Sequence, residues 1–269
     1  MLRGTLIAIV SFAAWAQSPE RVTVPLSEPG RPVTLEAELV TGSIIVKGYS
    51  GKEVIVEATT RGREREKERE NRRAEGMKRI DVRSTNISVE EKGNRVKVES
   101  ENVNTPTDLT IQVPVETSVK LSTVNSGEIR VEGLHGSLEV ENTNGKITLL
   151  NVSGSVVAET VNGPVTVVLD QVAPDKPMSF TTVNGSLDVT LPPTVKARLK
   201  LNTENGEVYS DFDITMEASK AATQVSDERS KGGKYKIKLE KAVYGSINGG
   251  GPEYRFNTLN GGIYLRKKK

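Results

Sequence analysis

The chain has 269 residues, a formal net charge of +2 and no cysteine. That excludes disulfides, thiolate metal sites, a cysteine nucleophile and a lipid-bearing cysteine, and it leaves no basic surplus of the kind nucleic-acid binders carry. Aromatic residues make up only 4%, and a chain so dominated by Val, Ile, Leu and Gly suits thin repeated layers better than one thick globular core.

The opening MLRGTLIAIVSFAAWAQS has the form of an export signal. Arg3 supplies the positive start, Leu6–Ala14 the short apolar stretch, and Ala14 and Ala16 the small residues that a signal peptidase reads. Residues 1–16 are expected to be removed, leaving Gln17 in front. An uncleaved membrane anchor is the alternative, but the stretch is short for a bilayer. No later segment approaches the roughly 20 apolar residues that a spanning helix needs. The expected location is periplasm, outer envelope surface or outside the cell.

Residues 17–60 read as strands and a cap. Val33, Leu35, Ala37 and Leu39 alternate with Thr34, Glu36 and Glu38, and Glu53–Glu57 has strand character. Thr41-Gly42-Ser43-Ile44-Ile45-Val46 looks like a weak copy of a motif that recurs later. Residues 61–79 carry nine basic and five acidic side chains and almost nothing apolar. Such a run cannot bury itself. It is expected to be a solvated loop or a short charged helix, with an arm toward an anionic surface as the sharper alternative. From residue 80 to 269 strands resume, first at Ile80–Arg83, Ile87–Glu90, Arg95–Glu99 and Leu109–Val113.

Six copies of one pattern then follow: TVNSGEIRV, NTNGKITLL, TVNGPVTVV, TVNGSLDVT, TENGEVYSD and TLNGGIYLR. Their glycines are Gly127, Gly145, Gly163, Gly185, Gly206 and Gly261, spaced by 18, 18, 22, 21 and 55 residues. Two residues after each glycine stands an aliphatic residue: Ile129, Ile147, Val165, Leu187, Val208 or Ile263. Two residues further on, five of the six copies are aliphatic again, and Ser210 is the exception. Upstream, Leu138 and Val140, and their equivalents in later copies, alternate in the same way. Each unit is therefore strand, Asn-Gly corner, strand. The 55-residue gap is expected to hide one or two degenerate units around Tyr235–Leu239 and Tyr244–Ile247.

Asn-Gly between alternating strands is also a hairpin signal, so a meander competes. A coil returning to the same azimuth each turn explains why the same residues recur at the same place, and it is preferred. The expected fold is an all-β, single-stranded β-solenoid of ~18–22-residue repeats with Asn-Gly corners. Asn125, Asn144, Asn162, Asn184, Asn205 and Asn260 would then stack at about 4.8 Å and bond into a ladder. Thr123, Thr160, Thr182, Thr203 and Thr258 would run beside them, with Asn142 in the same row. The closing Arg266-Lys267-Lys268-Lys269 would blunt an open sheet edge.

His135 is the only histidine and has no converging ligands, so no metal site is indicated. Asp188 and Glu207 could approach across neighbouring units as a carboxylate pair of the glycosidase kind. No triad and no phosphate loop is present, and no catalytic residue, metal or cofactor is expected.

The corners TVNG, TVNG, TENG and TLNG, the closing NGGIYLRKKK and the opening TGSIIVKGYSGKEVIVEA resemble the bacterial DUF4097 family of β-strand repeat proteins, also labelled adhesins, over Val22 to Lys269. The resemblance implies a right-handed β-solenoid, an exported or envelope location and no established enzymatic activity. The charged run departs from the family pattern. The expected function is a non-catalytic adhesin-like or scaffolding protein presenting a flat β surface to a cell-surface glycan or an envelope protein. A polysaccharide-active β-helix enzyme and an end-to-end structural polymer are the alternatives.

Overall fold

Alternating aliphatic and polar residues demand strands with one buried face, and strands are all that the computed structural model contains among its described residues. It describes residues 20–60, 87–100, 106–125, 127–217, 222–227, 235–240 and 242–269. The export signal, the 61–79 charged run and the Ile80–Arg83 strand lie outside the described residues. In chain order the first strands are β1 Glu20–Pro25, β2 Val33–Thr41, β3 Ile44–Tyr49, β4 Glu53–Thr60, β5 Ile87–Lys92, β6 Arg95–Ser100 and β7 Thr107–Pro114. The repeats supply β8 Thr117–Asn125, β9 Ile129–Glu132, β10 His135–Asn144, β11 Ile147–Asn162, β12 Val165–Val172, β13 Met178–Asn184, β14 Leu187–Leu191, β15 Ala197–Thr203 and β16 Val208–Ser210. The last are β17 Thr215–Met216, β18 Ala222–Asp227, β19 Tyr235–Glu240, β20 Val243–Ile247, β21 Glu253–Asn260 and β22 Ile263–Lys267.

Twenty of these strands form one sheet, folded into two walls. Wall one stacks β6, β2, β8, β10, the second half of β11, β13, β21 and β15, all in parallel. Wall two stacks β7, β3, β9, the first half of β11, β12, β14, β22 and β16, again in parallel. A wall-one strand and the wall-two strand that follows it in the chain make one layer of a nearly closed, barrel-like wrap. β11 bends at Val152 and carries the chain from one layer to the next.

Alternate residues of both walls point inward and share one aliphatic core. Leu121, Val140, Ala158, Phe180, Phe256 and Leu201 form a buried column on wall one, and Ile129, Ile147, Val165, Leu187 and Ile263 one on wall two. Each such side chain contributes roughly 1.5–3 kcal/mol, whereas ordering each backbone residue costs roughly 1–2 kcal/mol. A layer of about 18 residues burying four aliphatics cannot stand alone and is stable only on its neighbours.

The spatial order of the layers differs from their order in the chain. β21–β22, the last layer in sequence, lies between β13–β14 and β15–β16. At the other end, β2–β3 lies between β6–β7 and β8–β9. Antiparallel strands close the ends: β5 on β6, β4 and then β1 beyond β7, and β20 on β15 with β17 beside it.

Two expectations are corrected here. Among the described residues, the 55-residue gap holds no degenerate units of the parallel stack. β19 pairs antiparallel with β18 in a separate two-stranded sheet, and β20 runs antiparallel to β15. The reason is the reversal after β20, where Asn248, Gly249 and Gly250 take φ of 48°, 83° and 86° in place of an Asn-Gly corner. The Asn248 Nδ2 group fixes that turn by donating to the carbonyls of Pro193 and Val195. Nor do the terminal lysines guard an edge, because β22 has a partner on both sides. Arg266 instead grips Asp188, and Lys268 pairs with Asp170.

Tyr254 is fully buried in the core, and its hydroxyl has no hydrogen-bond partner among the described residues. Burial raises its pKa. Removing an unsatisfied buried hydroxyl from an otherwise apolar site is favourable, so Tyr254→Phe is expected to stabilise the fold by about 1 kcal/mol. A denaturant midpoint that rises checks this.

Candidate binding face

The corner positions everything outside it. Its threonine points inward, and its hydroxyl donates to the glycine carbonyl of the adjacent layer. Thr160 reaches Gly145 at 3.0 Å, Thr182 reaches Gly163 at 2.9 Å and Thr258 reaches Gly185 at 3.0 Å. Thr203 reaches Gly261 at 2.9 Å and Thr123 reaches Gly42 at 3.1 Å. The layers approach so closely here that only glycine fits. A Cβ on Gly145 would lie 1.8 Å from the Gly127 carbonyl oxygen, and one on Gly185 would lie 2.0 Å from that of Gly163.

Asparagine holds the outer rim. Asn205 Nδ2 donates to Asn260 Oδ1 at 2.8 Å, Asn260 to Asn184 at 2.7 Å, Asn184 to Asn162 at 2.8 Å and Asn162 to Asn144 at 2.8 Å. Asn144 ends the chain on the Val124 carbonyl at 3.2 Å, so Asn125 takes no part in the amide relay. All the donors point the same way, an arrangement in which successive bonds polarise one another.

One rung is imperfect. Asn142 stands in the threonine row and is 4% exposed. Its Nδ2 reaches Gly127 at 2.9 Å, but its Oδ1 is buried without a partner among the described residues. Asn142→Thr is expected to stabilise the protein by about 1 kcal/mol or more, since an unsatisfied buried acceptor costs roughly 1–3 kcal/mol. Gly145→Ala is expected to destabilise it by roughly 1–3 kcal/mol by forcing the rungs apart. Chemical denaturation of both variants, read as opposite shifts of the midpoint, checks the pair.

Beside the asparagine rim, wall one carries an outward row one residue before the rim position, Val40, Val124, Thr143, Val161, Val183 and Leu259, aliphatic at all but Thr143. Val124 and Val161 are each 41% exposed and Leu259 is 38% exposed. Six successive layers at about 4.8 Å give a flat stripe of about 24 Å. Sequence reasoning missed it, although the aliphatic second letter of TVNG and TLNG carries the signal.

The next outward row, read by register, runs Glu99, Glu38, Ser122, Glu141, Glu159, Thr181, Asn257 and Asn202. Beyond it Lys97 pairs with Glu99 at 2.7 Å and Lys120 with Glu139 at 3.0 Å, and each carboxylate raises its lysine's pKa. Glu141 and Glu159 stand directly opposite each other, and neither is in an ion pair among the described residues. Like charges so placed oppose folding. With Ser122, Thr143, Val161 and Thr181 they line a shallow groove of about 270 Å³. Carboxylates, hydroxyls and valines on a rigid sheet can accept hydrogen bonds and cover apolar surface.

The other candidates separate. Asp188 and Glu207 belong to layers that are not neighbours, because β22 lies between them with Tyr264 facing Asp188. Asp188 is held by Arg266 Nε at 2.7 Å and Nη2 at 3.0 Å, which raises the arginine's pKa. Glu207 accepts the Tyr209 hydroxyl and thereby raises that tyrosine's pKa. The carboxylate pair read from the sequence is therefore not assembled. On the same wall Tyr209 stacks on Tyr264 at 5.3 Å and 9°. His135 lies at the surface, with Nδ1 3.1 Å from Glu116. Among the described residues no group of three or more His, Cys, Asp or Glu could hold a metal, and no helix is long and apolar enough to cross a membrane.

The sequence profile of the Toastrack DUF4097 family matches residues 74–243. The chain belongs to the Toastrack family. Among solved structures, the chain is similar to a protein of Clostridium sporogenes provisionally described as a cell adhesion protein. It has 14% identity and a TM-score of 0.45, over 93% of this chain and all of that one. A provisionally described adhesin of Bacteroides fragilis follows with 11% identity and a TM-score of 0.32, over 94% of this chain and 98% of that one. No curated protein matches. The Toastrack match spans β8–β16 and β6–β7 but includes no residue of β2–β3 or β21–β22.

Proposed function

We propose that this Toastrack protein is an exported, non-catalytic adhesin-like or scaffolding protein that docks an envelope protein on wall one. In this reading the scaffold is a right-handed solenoid, and the corners keep the face flat. The observation that carries it is the largely aliphatic row set beside Glu141 and Glu159, neither of which is in an ion pair among the described residues. Exposed apolar surface rimmed by polar groups is characteristic of interaction sites, and here only Thr143 interrupts the aliphatic row. Glu141 and Glu159 would favour a partner with basic side chains flanking apolar ones. The separation of Asp188 from Glu207 by β22 supports binding over hydrolysis.

A second reading, a cell-surface glycan, draws on the stacked Tyr209 and Tyr264 of wall two, since aromatic rings offer sugars an apolar platform. Nucleic acid is disfavoured by the balanced charge, and no cofactor is invoked.

Binding of the labelled full chain to isolated cell envelopes tests both. Val161→Lys is expected to weaken binding by roughly tenfold or more, equivalent to about 1.4 kcal/mol, without lowering the denaturation midpoint. Protease treatment of the envelopes should abolish it. Loss of binding with Tyr209→Ala and with periodate-treated envelopes would favour the glycan reading. Binding indifferent to every one of these changes would overturn the proposal.

A further inference from the structure

The β21–β22 layer is a rung set into a gap that the chain could close without it. β14 and β15 are joined by a link of only five residues, 192–196, yet their layers are held apart by β21–β22. The inserted layer meets both neighbours in the same register. Thr258 pairs with Thr182 on one side and Thr203 on the other. Ile263 likewise pairs with Leu187 and with Val208. It stacks Phe256 on Phe180 at 4.9 Å inside the core and Tyr264 on Tyr209 at the surface.

The corners at Thr182, Thr203 and Thr258 use the same parts, so β13–β14 offers β15–β16 the same seat that it offers β21–β22. Thr203 and Asn205 of β15–β16 carry the groups that Thr258 and Asn260 use to reach Gly185 and Asn184. The residues matched by the family profile, 74–243, contain β6–β16 without either interposed layer. Taken alone, those layers follow one another in chain order.

We infer that the β21–β22 layer is exchangeable between copies of this chain: the seat between β13–β14 and β15–β16 accepts the β21–β22 segment of a second copy. Exchange conserves every contact within the seat and alters only the connection, the usual condition for swapping of an identical element between protomers. The connection before β21 contains Asn248, Gly249 and Gly250 in left-handed conformations, followed by Gly251, and redrawing it releases the two hydrogen bonds from Asn248 to Pro193 and Val195. This assembly is distinct from the end-to-end polymer considered from the sequence. It needs no open edge, and it does not rest on the binding face of wall one.

The absence of cysteine makes the test clean. Ser179 and Arg255 are register partners across β13 and β21, and both side chains face outward. Ser179→Cys chains and Arg255→Cys chains, unfolded together and refolded at increasing concentration, are expected to form a disulfide-linked dimer containing one of each. Its yield should rise with concentration. A mixture of Ser118→Cys and Arg255→Cys chains, whose positions lie on non-adjacent layers, should not form it. The double variant Ser179→Cys/Arg255→Cys should close internally when dilute, which shows that the pair is geometrically competent. If the double variant closes while the Ser179→Cys and Arg255→Cys mixture yields only monomers, the inference is overturned. Equal dimer yields from the two mixtures would also overturn it. A double variant that fails to close would contradict the register on which the seat is built.

Discussion

The structure depends on the hydrogen bond from a buried threonine to the glycine carbonyl of the next layer. Two walls of parallel strands can share a thin aliphatic interior only if the chain turns sharply at the same place in each layer. The turn brings glycine carbonyls into the core's margin, where an unsatisfied acceptor would cost roughly 1–3 kcal/mol. The threonine hydroxyl satisfies it from within, and the missing Cβ lets the layers approach to strand spacing. The asparagine amides then tie the same corners together from outside. Neither ladder works without the other's register, because a one-residue slip would turn every inward side chain outward.

Rigid corners have a functional consequence. They hold the exposed Val124, Val161 and Leu259 in a straight row beside Glu141 and Glu159, and the opposing carboxylates are kept together although they repel. A sheet that carries like charges in register and an apolar strip beside them has given up some stability at that surface. The aromatic pair of Tyr209 and Tyr264 occupies the other wall, so the two proposed kinds of partner would not compete for one place.

The all-β class was legible because the alternation of residues such as Leu138 and Val140, or Ile147 and Leu149, admits no helical period. The recurrence of Thr, Asn and Gly marked the corners. It did not reveal which group each side chain would bond, since the carbonyl that Thr160 satisfies belongs to another layer. The layer order was illegible for a related reason. TENG and TLNG make equivalent rungs, so periodicity cannot tell which one sits on Asn184. The tail lysines were misplaced on the same account, and Asp188 and Glu207 were put on neighbouring units when β22 in fact parts them. The binding face escaped notice because a valine between Thr and Asn reads as one more strand residue until its outward direction is known.

The central claim is that the corners stack in the order given by the register, with Thr258 between Thr182 and Thr203. Through-space NMR contacts among these three threonine methyl groups in the full chain measure it directly. At a strand spacing of about 4.8 Å, Thr258 should show contacts to both of the others and they should show none to each other. A direct contact between Thr182 and Thr203, with Thr258 remote from both, would contradict the account.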